Sequence, residues 1–354
     1  MRGKGIHHSR PCVGEGEWRR LREVVRSAHL AQGPQVRAFE EEVAQTFGLS
    51  AGVATSSGTA ALHLALLTLG IGPGDEVLLP SYVCTAPLQA VLYVGDSPVL
   101  VDVDPKTGNI DPDDLRRRLT PRSKAVIAVH LHGIPAPVEE LLSYSIPIIE
   151  DCAQSLGATL GGRKAGSFGH LTICSFYATK LITTGEGGMV LSSRADYLEK
   201  LKDLRDYDKR EDFKVRYNYK MSDLEAAMGR HQLTRLDSFL HKRNSLAAAY
   251  DERLQSVECE PPPRVEGRIY YRYVVNVSPS SVQRIIDRLA LRGVEAARPV
   301  FRPLHQHLGL TGGYAGAEAC WNTHLSLPLH PDLSLEEVDE ICSALGRIME
   351  EHKR

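Results

Sequence analysis

Between residues 53 and 192 the chain changes hydrophobic period again and again, and that alternation constrains its fold more than any other feature. EVLLPS (76–81), PVLVDVD (98–104), KAVIAVHLHG (124–133), IPIIED (146–151) and GMVLSS (188–193) read as strands, each a short apolar run bounded by turn residues. TAALHLALLTLG (59–70), TAPLQAVLYVG (85–95) and DPDDLRRRLT (111–120) read as the helices between them. Parallel strands need crossover helices, so the alternation predicts an α/β domain with a mostly parallel sheet covered on both faces. The helix after Thr59 is apolar on every side and is expected to be deeply buried. From 222 to 258 the pattern becomes helical, and SDLEAAMGRHQLTRLDSFLHKRNSLAAAYDERL reads as two helices. PPP at 261–263 breaks it. The remainder, with YYRYVVNV, SVQRIIDRLALRG and LSLEEVDEICSALGRIMEEH, reads as a smaller α+β domain. The expected division is a large α/β domain over 1–240 and a small one over 241–354.

A length of 354 residues suffices for two domains and a large core. The net charge of −2 argues against bulk binding to nucleic acid or an anionic membrane. There is no apolar run of 18 residues, and MRGKGIHHSRP has no apolar core of a secretory signal, so a cytoplasmic chain is expected. Seven scattered cysteines without a C-x-x-C pair point to reduced thiols, neither a disulfide framework nor a zinc site.

Two residues carry candidate chemistry. Asp151 ends the run IPIIED, and Lys180 lies 29 positions later (180 − 151), after the apolar run LTICSFY and before a Gly-rich turn. A carboxylate that keeps a pyridine nitrogen protonated, with a lysine that forms a Schiff base, is what pyridoxal 5′-phosphate (PLP) chemistry requires. Either alone is weak, since a lysine beside a glycine turn is usually a solvated loop residue. A phosphate site adds to the pair. Ser57, Gly58 and Thr59 open the buried helix, where free amides and the positive end of the helix dipole suit a phosphate. A plain helix cap is the blander account of S-G-T. Ser175, five residues before Lys180, and Asn218 in YNYKMSDLEAAMG are further candidate donors.

Together these stretches resemble the DegT/DnrJ/EryC1/StrS family of PLP-dependent sugar aminotransferases. The resemblance covers GPQVRAFEEEVAQTFG (33–48), SGTAAL with GPGDEV, PSYVCTAPLQAV (80–91), VDVDPKTGNIDP (101–112), VHLHG (129–133), EDCAQSLGA (150–158), SFYATKLITTGEGG, YNYKMSDLEAAMG and LSLPLHPDLS (325–334), nearly the whole chain. It implies the type I PLP-dependent aminotransferase fold and a homodimer whose active sites draw on both subunits. It further implies an amino-acid donor, glutamate in the first place, and a nucleotide-linked ketosugar acceptor, hence amino sugar biosynthesis; an inositol-type ketone is also a possible acceptor. By position, Lys180 matches the internal-aldimine lysine and proton shuttle, and Asp151 the partner of the pyridinium nitrogen. Gln154 matches the contact to the ring oxygen. Gly58, Thr59 and the Ala60 amide match the phosphate cradle, completed by Ser175. Asn218 matches the phosphate ligand donated by the neighbouring subunit. Two positions depart from the family pattern. Cys84 stands where an aromatic ring often stacks on the cofactor, and His132 where VHLYG has tyrosine.

Other features have blander accounts. His130 and His132, at i and i+2 on an expected strand, suggest a metal pair only if a third ligand exists, and none follows at metal-like spacing; His305 with His307 and His7 with His8 are weaker still. RDYDKREDFKVR (205–216) reads as a solvated loop, or else as a segment reaching over the partner's site. Arg298 is a candidate for substrate carboxylate or phosphate, set against ordinary surface charge. A dehydratase of the same fold is the alternative enzyme, but those relatives carry histidine where Lys180 stands. A PLP-bound regulatory protein without turnover is the alternative from another class. A complete chemical set and the lack of a basic stripe argue against it.

Overall fold

The structure is a computed structural model, described over residues 5–279 and 281–351. Strands β1 (Ala51–Thr55), β2 (Glu76–Pro80), β3 (Ser97–Val101), β4 (Ser123–Val129), β5 (Ile148–Asp151), β6 (Thr159–Leu160), β7 (Arg163–Lys164), β8 (Leu171–Ser175) and β9 (Gly188–Ser192) come first in the chain. Seven of them form one sheet in the order β1-β9-β8-β5-β4-β2-β3. Only β9 runs against its neighbours, β8 on one side and β1 on the other. The rest of the sheet is parallel. The expected mixed, mostly parallel α/β sheet is what the chain forms.

That topology brings the ends of β1, β5 and β8 to one edge of the sheet. Asp151 is the last residue of β5, Ser175 the last of β8, and Ser57 follows β1 by two residues. In open α/β sheets the crevice beyond the carboxyl ends of the strands is where ligands bind.

The helix Gly58–Thr68 lies under the sheet, and eight of its eleven residues are buried. Leu62, Leu64 and Leu66 point to different sides and are all enclosed, each worth roughly 1.5–3 kcal/mol of transfer free energy. Two helices that the alternation did not announce precede β1. Glu15–Ser27 and Pro34–Phe47 both pack on the helix Asp223–Thr234. The second begins at Gly33, which has no side chain to cap it. Asp223 supplies the cap instead, accepting the amides of Gly33 (2.8 Å), Gln35 (3.2 Å) and Val36 (3.0 Å). Phe39 of this helix meets Phe176 with ring centroids 4.9 Å apart.

A second core gathers around β10 (Tyr273–Asn276) and β11 (His324–Leu327), with the helices Val282–Ala290 and Leu335–Glu350 over them. The helix Leu236–Arg253 joins both cores. Leu236 and Phe239 pack with the first, Leu246 and Tyr250 with the second. Ile6 also belongs to the second core, through a bridge to Val294. YYRYVVNV is strand only from Tyr273, so Tyr271 stays free of the ladder and turns towards Lys180.

Candidate active site

Asp151 lies at the sheet's carboxyl edge and is 6% exposed. Its Oδ1 accepts the Ala153 amide at 2.9 Å. Burial pushes its pKa up; the Ala153 hydrogen bond, Lys180 and His130 pull the other way without cancelling it. A buried carboxylate in that state is short of positive charge. Its neighbour Glu150 faces elsewhere. It accepts the amides of Gly166 (2.7 Å), Phe168 (2.7 Å) and Gly169 (2.5 Å), and lies 3.0 Å from His130 Nε2. Because the Ala136 amide donates to His130 Nδ1 at 2.8 Å, the imidazole proton sits on Nε2 and points at Glu150. This network pins the end of β5, and with it Asp151.

Lys180 shares one cavity of about 220 Å³ with Asp151. Ser57, Gly58, Thr59, Cys84, Ser175 and Glu186 also line it. Its ammonium stands 5.4 Å from the centre of the Tyr271 ring, within cation–π range. Burial acts to raise the Tyr271 phenol, but Lys180 and Arg272 outweigh it, with a hydrogen bond to Thr179, and hold it below its ordinary value.

The helix end beside Lys180 is tightly built. A Cβ on Gly58 would stand 2.9 Å from Ser175 Cβ and 3.1 Å from its hydroxyl, so backbone and hydroxyl face each other across the glycine. A Cβ on Gly188 would lie 2.3 Å from the Ser57 carbonyl, so only glycine lets β9 pass this turn. The Gly58 and Thr59 amides, in the first turn, have no intrahelical acceptor. The Ala60 amide does have a partner: Ser57 Oγ caps it at 3.0 Å.

Gln154 is placed by His132. The His132 amide donates to Gln154 Oε1 at 3.0 Å, and since that amide can only donate, the bond fixes the carboxamide and leaves Nε2 as its donor. His132 itself sits at φ +57°, beyond the end of β4, so it does not continue the strand with His130. Their rings meet different partners: His130 faces Glu150, and His132 lies edge-on to Tyr82 and His324. Among the described residues no three His, Cys, Asp or Glu side chains converge as a metal site.

Ala60, Gln154 and Asn218 do not line the cavity. Tyr217 and Tyr219 stack at 5.0 Å and pack on His63, while the residue between them, Asn218, is exposed. The preceding segment is tied down by Lys214 and Arg216 on Asp203 (2.5 and 2.9 Å), yet Phe213 is fully exposed and Val215 70% exposed. Arg298 is engaged elsewhere, over the Trp321 ring at 4.5 Å and donating to the Trp321 carbonyl. Tyr271 and Glu186 are the site residues that sequence reasoning did not single out. Glu186 lies in the quoted TTGEGG, between two glycines that mark a turn. Nothing local marks Tyr271.

The residues fit PLP. A buried carboxylate lacking a cation suits a pyridinium, and a glycine helix end facing a serine hydroxyl suits a phosphate. Gly58→Ala is expected to raise the PLP dissociation constant about tenfold or more, roughly 1.4 kcal/mol, because the new methyl displaces Ser175. A visible-absorbance titration of the soluble variant checks it, and unchanged affinity would remove Gly58 from the cradle.

Comparison with known proteins agrees with this chemistry. GDP-perosamine synthase of Caulobacter vibrioides is 37% identical over 332 residues, covering 88% of this chain and 89% of that protein. UDP-N-acetyl-3-dehydro-alpha-D-glucosamine 3-aminotransferase of Acidithiobacillus ferrooxidans is 32% identical, covering 92% of each chain. The aminotransferase TlmJ of Streptoalloteichus hindustanus superposes with a TM-score of 0.93 at 32% identity, over 99% of this chain and all of that one. The PLP form of Spr1654 of Streptococcus pneumoniae, a proposed sugar aminotransferase, superposes at 0.92 with 28% identity, over 98% and 99%. Residues 11–346 match the DegT/DnrJ/EryC1/StrS aminotransferase family, and the chain is a member of that PLP-dependent family.

Proposed function

We propose that this enzyme is a PLP-dependent sugar aminotransferase that moves an amino group from an amino acid, glutamate in the first place, to a nucleotide-linked ketosugar. The observation that carries the reading is one cavity holding the Lys180 amine, the buried Asp151 carboxylate and the Gly58–Ser175 helix end. Bound PLP supplies an electron sink for negative charge at the donor α-carbon. Asp151 holds a proton on the ring nitrogen, which keeps that sink effective. Lys180 Nζ would take up the α-proton of the donor and, in the second half-reaction, deliver a proton to the former carbonyl carbon of the sugar. The Gly58 and Thr59 amides and the Ser175 hydroxyl bind phosphate; Ala60 joins them if Ser57 releases its amide. Gln154, with its Nε2 left free to donate, would serve the cofactor's ring oxygen, and Cys84 would cover the ring face with less area than an aromatic residue. The relatives' names support a nucleotide sugar and a role in surface polysaccharide formation. Seven free thiols support a cytoplasmic location, and no described helix is long and apolar enough to cross a membrane. The test is a panel of GDP- and UDP-linked ketosugars incubated with glutamate, with the amino sugar read by mass spectrometry. Absence of amine transfer to every one would overturn the reading.

We also propose a homodimer with shared sites. Asn218, exposed and five positions after the fully exposed Phe213, would reach the cofactor phosphate of the second copy. Losing one hydrogen bond to a charged phosphate should weaken PLP about ten- to a hundredfold, or roughly 1.5–3 kcal/mol. Mixed dimers of Lys180→Ala with Asn218→Ala subunits decide whether it acts across the interface. In trans, one site carries both defects and the other neither, so about half the wild-type activity should return at limiting PLP. In cis, every site keeps a defect, and no recovery in verified mixed dimers would reject the shared site.

A further inference from the structure

The cavity holds one ionic group that the cofactor chemistry leaves unused. Glu186 lines it with Lys180 and Asp151, and is exposed. Its backbone is held tightly. Gly185 and Gly187 on either side take φ of +87° and +149°. Phe176 donates its amide to the Gly187 carbonyl at 2.9 Å and accepts the Thr184 amide at 2.9 Å. The Gly185 amide donates to Thr183 Oγ1 at 2.9 Å, and the Thr184 hydroxyl donates to the Glu186 carbonyl. A turn bonded this densely presents its side chain from a fixed point at the cavity wall. No hydrogen bond or ion pair engages the Glu186 carboxylate among the described residues.

Three kinds of ligand group could meet a free carboxylate there. A second carboxylate, such as the side chain of a dicarboxylic donor, is repelled. An ammonium would be attracted, but the donor's amine must go to the cofactor beside Lys180. Neighbouring hydroxyls suit it best, because two carboxylate oxygens accept two O–H groups in charge-assisted hydrogen bonds. Of the other lining residues, Leu62, Cys84, Ala86, Ala153 and Ile173 offer a ring little polarity, and the Tyr177 phenol adds a neutral hydroxyl but no charged acceptor. Resting on the sugar aminotransferase reading, we propose that Glu186 selects the acceptor, binding the hydroxyls beside the ketone and so favouring polyhydroxylated ketones over deoxy ones. A site built to hydrogen-bond a hydroxyl discriminates strongly against the analogue that lacks it.

The experiment pairs a substrate deletion with a side-chain deletion. The substrates are the GDP- or UDP-linked ketohexose that the wild type aminates and its analogue lacking the hydroxyl next to the ketone. Wild-type kcat/KM is expected to favour the hydroxylated sugar at least tenfold. In Glu186→Ala that ratio should fall to within about threefold of one, with the ketosugar KM raised ten- to a hundredfold; Glu186→Gln, which keeps one acceptor oxygen, should fall between. The calorimetric Kd of the amino sugar product on the PLP-loaded enzyme should rise by the same factor, while the visible spectrum of bound PLP shows the site intact. A structural role would weaken both sugars alike and leave their ratio standing, and that result overturns the proposal. If the wild type aminates no ketosugar at all, the functional reading falls and this role with it. If it does and the ratio survives in Glu186→Ala, only the role falls.

Discussion

Lys180→Ala is expected to fold normally, to lack the visible absorbance of lysine-linked PLP, and to lose amine transfer by at least about four orders of magnitude, since nucleophile and proton carrier vanish together. The side chain is half-buried in a cavity whose walls are otherwise intact, so its truncation leaves the sheet and the helix end undisturbed. The electrostatic consequences are also specific. Lys180 helps to hold both Asp151 and Tyr271 down, so both should titrate at higher pH in the variant without cofactor. The Tyr271 shift can be followed by the ultraviolet absorbance of its phenolate, against the ordinary tyrosine pKa of about 10. A variant with the wild-type spectrum and rate would sink the assignment of Lys180.

Asp151→Asn is expected to reduce turnover by about a thousandfold while weakening PLP binding far less. The phosphate contacts at Gly58, Thr59 and Ser175 remain, but a neutral amide cannot hold a proton on the ring nitrogen. The size follows from burial: a charge in a water-poor site counts for much more than one at the surface. Asp151 also has few partners to share its charge, its carboxylate accepting the Ala153 amide among the described residues. Single-turnover conversion of PLP to pyridoxamine phosphate, followed spectroscopically with glutamate, isolates the step. A near-normal single-turnover rate would remove Asp151 from its role.

Much of the architecture was legible along the chain because it is decided locally. A change of hydrophobic period within ten residues announces strand or helix whatever lies far away, so the five expected strands and the three helices between 59 and 120 all appear, although the strands expected over 98–104 and 124–133 end early, at Val101 and Val129. The same holds for the all-apolar helix after Thr59. Lys180 and Asp151 were legible for another reason: Asp151 ends one strand-like run and Lys180 follows another by a few residues, and parallel neighbouring strands bring their ends to one edge.

What remained hidden depends on partners distant in sequence. The helix Pro34–Phe47 starts on a bare glycine and takes its cap from Asp223, some 190 positions away, which no local pattern reveals. His132 looked like the next strand residue after His130, but the chain turns there at positive φ and its amide goes to Gln154. The Ala60 amide, free by its position in the helix, is taken by Ser57. Tyr271 reaches Lys180 only because it packs in one cluster with Phe176 and Leu181, some 90 positions earlier, and Glu186 faces the cavity only because Thr183, Thr184 and Phe176 bend its turn that way. By itself the sequence determined the period of each element and the chemical groups at the strand ends. The tertiary structure alone decided which of those groups share a cavity and which are already satisfied, because hydrogen bonds and burial are settled by neighbours in space.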